Sequence, residues 1–189
     1  MNGYEYEMTG NYRTTDLNYS VARVGTELTN YLKKKNFSVE HSVTYHDYPA
    51  YSGSYDRSLQ TVQNLLVGKN IDIVIDLHRD AVGSSNSYAP TVKINDKYVA
   101  QMMFVIGTDG GGLTHPNWKQ NLKMAIKIQE KANEMYPGLF RPIIVRNSRY
   151  NQHVAAGAFI IEVGATGNTM QQCILSMECF ANIMEKVCK

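Results

Sequence analysis

Apolar residues recur along this chain with two periods, one close to the helical repeat and one close to the alternation of a strand, and the switches between them mark out the elements. Val21, Val24, Leu28, Tyr31 and Leu32 stand at helical spacing. Asp16 or Thr15 offers an N-cap, and Lys33, Lys34 and Lys35 fill a last turn where cations suit the helix dipole, so a first helix is predicted over 16–35. Phe37-Ser38-Val39-Glu40-His41-Ser42-Val43 alternates as a half-buried strand does. A loop carrying His46, Asp47 and Pro49 then leads to a second predicted helix over 54–66, with Leu59, Val62, Leu65 and Leu66 on one face. Ile71, Ile73, Val74, Ile75 and Leu77 form a short, mostly β-branched run behind Gly68 and Asn70, which predicts a buried central strand.

The second half continues the alternation. Thr91–Ile94 and Lys97–Ile106 flank Asn95-Asp96, a hairpin turn. A long helix is predicted over 117–135 with Leu122, Ala125, Ile126, Gln129 and Ala132 inward, and Tyr136-Pro137-Gly138 ends it because proline cannot continue a helix. Ile143-Ile144-Val145 is a short strand, and Ala158–Gly164 is a second buried strand holding one acid, Glu162. Residues 169–188 make a terminal helix with Ile174, Met177, Cys179, Ile183 and Val187 inward. Strands interleaved with helices predict an α/β fold with a mixed, largely parallel central sheet flanked by helices, and 189 residues suit a single domain.

Composition narrows the function classes. A hydrophobic fraction of 43%, a charged fraction of 19% and a net charge of +2 are those of an ordinary globular domain and make no electrostatic case for nucleic acid. The glycines between Gly107 and Gly112 lack the Gly-Lys-Ser/Thr ending of a phosphate loop. No apolar run approaches the roughly 20 residues of a membrane span, and the N-terminus has no signal-peptide core. The three cysteines, Cys173, Cys179 and Cys188, are odd in number and lack metal spacing, so free thiols are expected. Thirteen tyrosines, nine of them within the first third, either line a groove for a sugar or peptide polymer or serve as half-buried packing.

The chemistry concentrates at the two buried strands. His78, Arg79 and Asp80 follow the apolar run, where ligands bind in open α/β sheets, and Asp76 is a carboxylate inside it that needs a hydrogen-bond partner or a cation. His78 reads as a metal ligand or as a strand-end cap, and Arg79 with Asp80 reads as an ion pair or as part of a site. If the two strands are neighbours, His78 and Glu162 face one cleft, as in a hydrolytic zinc site where an imidazole holds the ion and a carboxylate takes a proton from water. Glu162 is otherwise a lone acid satisfied by a backbone N–H or by an arginine such as Arg149. A catalytic zinc needs three protein ligands, and beyond His78 the remaining ones would come from His41, His46, His115, His153, Asp16, Asp80, Glu5 or Glu7. His153 flanks the site or bonds a loop, and His41 and His46 read best as surface residues.

Several blocks carry a resemblance: Tyr12-Arg13-Thr14-Thr15-Asp16 with Asn18-Tyr19, His46-Asp47-Tyr48-Pro49 with Tyr51 and Gly53-Ser54-Tyr55, Ile75-Asp76-Leu77-His78-Arg79-Asp80, Tyr136-Pro137-Gly138-Leu139, Tyr150-Asn151-Gln152-His153, and Ile161-Glu162-Val163-Gly164. In this order they resemble the catalytic domain of the stage II sporulation protein P family, cell-wall hydrolases related to zinc-dependent N-acetylmuramoyl-L-alanine amidases. The resemblance implies an amidase-like fold that degrades peptidoglycan during engulfment, cutting the amide between muramic acid and L-alanine and also stem-peptide cross-links. It implies zinc as cofactor, His78 as a zinc ligand, Glu162 as the catalytic carboxylate, and Arg79, Asp80 and His153 as supporting or substrate-binding residues. It further implies a membrane-anchored, extracytoplasmic parent and a sporulation partner hydrolase. Family members open this domain with a strand ending in His-Thr-His that supplies a further ligand. The chain here begins after that strand, so weak zinc binding and reduced hydrolysis are expected of it, and a metal-free wall- or partner-binding module is the alternative reading.

Overall fold

The computed structural model describes residues 14–82 and 88–189. Helix α1 (Val21–Lys34) begins later than its apolar pattern predicts. The Asp16 carboxylate accepts from Asn18 N at 2.8 Å and holds a turn, which leaves Ser20 as the cap, its hydroxyl accepting from Ala22 N. Helix α2 (Ser54–Leu66) lies where the pattern places it. Among the described residues the stretch 37–43 pairs with no strand. Its alternation arises because Phe37 and Val39 lean on the helical core while Ser38 and Glu40 face solvent.

Strand β1 (Val74–Asp80) starts and ends later than predicted, so His78, Arg79 and Asp80 are ladder residues and not a loop beyond it. Strands β2 (Thr91–Ile94) and β3 (Lys97–Ala100) form a two-stranded antiparallel sheet around Asn95 and Asp96, whose φ values of 47° and 62° give a hairpin turn. The run predicted as one strand over 97–106 breaks at Gln101, whose N–H turns away to Pro90 O at 2.9 Å. The chain then enters the main sheet as β4 (Met102–Gly107). Helix α3 (Trp118–Met135), strand β5 (Ile144–Arg146), a 3₁₀ turn at Gln152–Val154, strand β6 (Ala158–Ala165) and helix α4 (Met170–Cys188) complete the order. A capping box of Thr169 and Gln172 starts α4.

The main sheet has the order β1-β6-β4-β5, parallel between β1 and β6, antiparallel between β6 and β4, and parallel between β4 and β5. This is the mixed, largely parallel sheet of an α/β fold. Alternation sends Phe104, Phe159, Ile161 and Val163 to one face, where they meet Phe180, Met177, Ala125 and Leu28 of the helices. The second face carries a small apolar patch of Met103, Val105 and Ile160 with Ile144 and Tyr150 against it. Helix α2 is tied beside that patch by Asn151, whose Nδ2 donates to Tyr55 O at 2.7 Å and Ser58 Oγ at 3.1 Å.

The buried row of α3 is Asn121, Ala125, Ile128 and Ala132, and Ile126, predicted to face inward, is 41% exposed. A polar residue opens that row because Asn121 Oδ1 accepts from Gly157 N at 2.7 Å and Ala158 N at 3.2 Å while its Nδ2 donates to Gln152 O at 2.9 Å. Asn121 thereby fixes where β6 begins, and with it the position of Glu162. Cys173 and Cys179 are buried free thiols, and Cys188 is exposed.

Candidate functional site

Residues in register on adjacent strands project from the same face of a sheet. His78 of β1 is the register partner of Glu162 of β6, and Met103 of β4 partners Glu162 from the other side. One step back, Asp76 pairs with Ile160. Asp76, His78 and Glu162 therefore share the second face, above the Met103 patch. The site lies on the surface of the sheet near the carboxyl ends of β1 and β6, not beyond those ends.

His78 Nε2 lies 2.8 Å from Asp76 Oδ1. Burial alone would lower the imidazole's pKa, but the hydrogen bond and charge of Asp76, helped by Glu162 and Asp47, outweigh burial and hold it up at about 9. Glu162 moves the opposite way from an ordinary ion pair. Burial pushes its carboxyl up to about 7; His78 and Arg141 draw it down, while Asp80 and Asp76 oppose them. Its Oε2 is buried with no hydrogen-bond partner among the described residues. A carboxyl held near neutrality with an unused oxygen is fit to accept and return a proton. Tyr55, from the start of α2, has its phenol pushed up to about 12, by burial first and then by Asp76, Tyr51, Tyr150 and Glu162, so it stays protonated at the rim. Its ring lies 6.1 Å from that of Tyr150, centre to centre.

Asp80, past a register shift in β1, accepts from Arg141 Nη1 at 2.9 Å, and the two side chains are 15% and 13% exposed. Arg79, between His78 and Asp80, points to the opposite face, where it lines a small cavity with Tyr19, Val24, Val163 and Cys173. It therefore does not join His78. His153 lies in the turn before β6, at the far end of the strand from Glu162, with its ring 6.4 Å from that of His115. Both imidazoles are pushed down, by burial first. Arg149 donates to Thr114 O and does not partner Glu162. His46 is bonded to Thr61 Oγ1 at 2.9 Å, and His41 sits against Gly25 of α1. Glu5 and Glu7 lie outside the described residues.

His78, Asp76 and Glu162 are donors of the kind zinc takes, yet among the described residues no three His, Cys, Asp or Glu stand close enough to hold a metal ion. The described residues alone do not complete a zinc shell. The apolar pattern of the sequence alone does not reveal Arg141, nor the influence of Asp47 on His78. The signal for Arg141 was present: a lone cation between Leu139-Phe140 and Pro142-Ile143, as Asp76 is a lone acid within its own apolar run.

The mixed α/β sheet that brings this imidazole and this carboxyl together on one face has an amidase-like fold. The CwlD amidase from Clostridioides difficile, solved in complex with the GerS lipoprotein, superposes with a TM-score of 0.52 over 86% of this chain and 81% of that one, at 13% identity. The chain belongs to the stage II sporulation protein P (SpoIIP) family, whose model matches residues 3–185. Stage II sporulation protein P of Bacillus subtilis (strain 168) is 29% identical over 128 residues, which is 65% of this chain and 30% of that protein. The chain thus spans under a third of the length of that relative. Among the described residues no helix is long and apolar enough to cross a membrane.

Proposed function

We propose that this chain is a hydrolase of the bacterial cell wall, cutting peptidoglycan at the amide between muramic acid and L-alanine, with stem-peptide cross-links as a second bond class, in septal wall degradation at engulfment. The observation that carries this reading is the register pairing of His78 with Glu162, whose buried Oε2 has no partner among the described residues. Near neutral pH Glu162 takes a proton from the attacking water and returns it to the leaving amine, the two halves of an amide hydrolysis. The cationic side of the site, His78 and Arg141, favours the negative charge that develops on the attacked carbonyl oxygen. Zinc is part of the proposal through the family resemblance: His78, once it has given up its proton and with it its cationic role, is the ligand this chain would offer, and when bound the ion would make a water more acidic at neutral pH.

A second reading, a wall- or partner-binding module without metal, is favoured by the spacing of the donors, since among the described residues no three of them are placed to hold an ion together. Digestion of purified wall sacculi separates the two. Release of muropeptides by the chain, raised by added zinc and reduced at least about a hundredfold in Glu162→Gln, supports the hydrolase. Wall binding without release in excess zinc supports the module. The same reading places the parent protein outside the cytoplasmic membrane, anchored to it, and beside a partner hydrolase; the superposable CwlD amidase was itself solved with a lipoprotein partner.

A further inference from the structure

The segment after helix α3 runs back along the start of β4, with Met102 N donating to Leu139 O and Arg141 N donating to Met102 O, both at 2.8 Å. From beside β4, Arg141 reaches Asp80 on β1, and the strand lying between them is β6, which bears Glu162. The guanidinium is thereby drawn across the strand of the proton-holding carboxyl.

Only one corner of that guanidinium is in use. Nη1 donates to Asp80 Oδ2 and, at 3.3 Å, to Tyr88 Oη, while Nε and Nη2 are buried with no partner among the described residues. In a guanidinium the Nε–H and one Nη2–H run parallel along one edge, the fork that matches the two oxygens of a carboxylate. A buried cation with two idle donors is costly for structure alone, since Asp80 could be paired without leaving them bare. Tyr88 lies against the group, its ring centre 5.9 Å from Arg141 Cζ, and that tyrosine is itself 39% exposed, so the guanidinium stands beside a surface side chain.

We infer that Arg141 is a specificity-determining residue that binds a carboxylate of the substrate's peptide through its Nε and Nη2 edge, beside the Glu162 centre. The inference rests on the cell-wall hydrolase reading for its substrate class. A muramoyl peptide loses its lactyl carboxylate to the amide that is cut, so the carboxylates left for Arg141 are those of the peptide, close on the leaving-amine side. An arginine that only stabilised the transition-state oxygen would need one donor and would show no preference between acid and amide forms of the peptide.

Calorimetric titration of the chain with N-acetylmuramoyl-L-alanyl-D-glutamic acid, and with the same compound amidated at both glutamate carboxyls, tests this. The wild-type chain is expected to bind the acid about tenfold or more tightly than the diamide, the value of a charge-assisted bidentate contact. In Arg141→Lys, which keeps a cation opposite Asp80 but loses the fork, the preference is expected to fall to about twofold. Equal binding of acid and diamide by the wild-type chain, or no detectable binding of the acid at millimolar concentration, overturns the assignment without need of a variant. A preference that survives intact in a folded Arg141→Lys overturns it as well. Cleavage of the acid on incubation reports separately on the hydrolase reading: selective binding without cleavage keeps Arg141 as a carboxylate-binding residue and removes the reaction.

Discussion

At the scale of single residues the site depends on a carboxyl that holds its proton too long. Glu162 is raised from 4.5 to about 7 by burial, against the pull of His78 and Arg141. An acid with a raised folded pKa favours the folded state fully below its unfolded value, and that contribution fades as pH climbs through the folded one. Stability is therefore expected to decline from about pH 4.5 to about 7 on account of Glu162, while activity that needs the ionised base rises across pH 7. Carbon-detected titration of the Glu162 carboxyl checks the premise, with a midpoint near 7 in the wild type. In His78→Ala the midpoint moves higher, because the imidazolium that draws it down is gone. An unshifted midpoint in the ordinary glutamate range, unmoved by that substitution, would refute the described environment.

At the scale of elements, Asn121 and Gln152 hold β6, which carries Glu162, and its neighbour β4. Gln152 accepts from Gly107 N and donates to Val105 O, both at 2.9 Å, and Asn121 anchors Gly157 and Ala158 at the foot of β6. Asn121→Ala strands two buried N–H groups and one carbonyl, an expected loss of about 3 kcal/mol of unfolding free energy in denaturant titration. A loss under about 0.5 kcal/mol, typical of a surface change, would show the anchor to be dispensable. Elements built on apolar period were legible from sequence. Helix α2 and the core of β6 follow from Leu59, Val62, Ile160 and Ile161 alone, whereas the pairing of His78 with Glu162 is only permitted by the order of elements, and the register supplies it. What was not legible is held by polar atoms acting across distance. Gln101 splits β3 from β4 with a single backbone bond, Asn121 fills an apolar slot, and Arg141 meets Asp80 from 61 residues away in sequence. The turning of Arg79 away from His78 follows from the ladder's extension to Asp80, which the apolar pattern, ending at Leu77, could not announce.

At the scale of the whole molecule the two faces of the sheet differ. One is sealed by α1, α3 and α4 over phenylalanine and methionine side chains. The other bears the site and is bordered by α2, in which Ser54 alone is buried and the apolar face of Leu59, Val62, Leu65 and Leu66 is half-buried. What holds α2 is polar: Arg57 donates to His46 O at 2.7 Å, His46 bonds Thr61, and Asn151 bonds Tyr55 and Ser58. Regions with few buried apolar contacts open locally before the whole unfolds. Hydrogen exchange read by mass spectrometry is therefore expected to show the amides of α2 exchanging well before those of β6 and α4. Equal protection of α2 and β6 would contradict this division. Because α2 supplies Tyr55 and borders the pair, a ligand seated on the site is expected to slow its exchange.

The central claim is that His78 and Glu162 serve one reaction centre, and a double-mutant cycle on muropeptide release from wall sacculi tests it most directly. His78→Ala and Glu162→Gln are each expected to lower the initial rate by at least about a hundredfold, and the double variant to fall no more than about tenfold below either, because residues acting as a unit are not additive. Single variants that keep the wild-type rate, or losses that multiply in full, would contradict it.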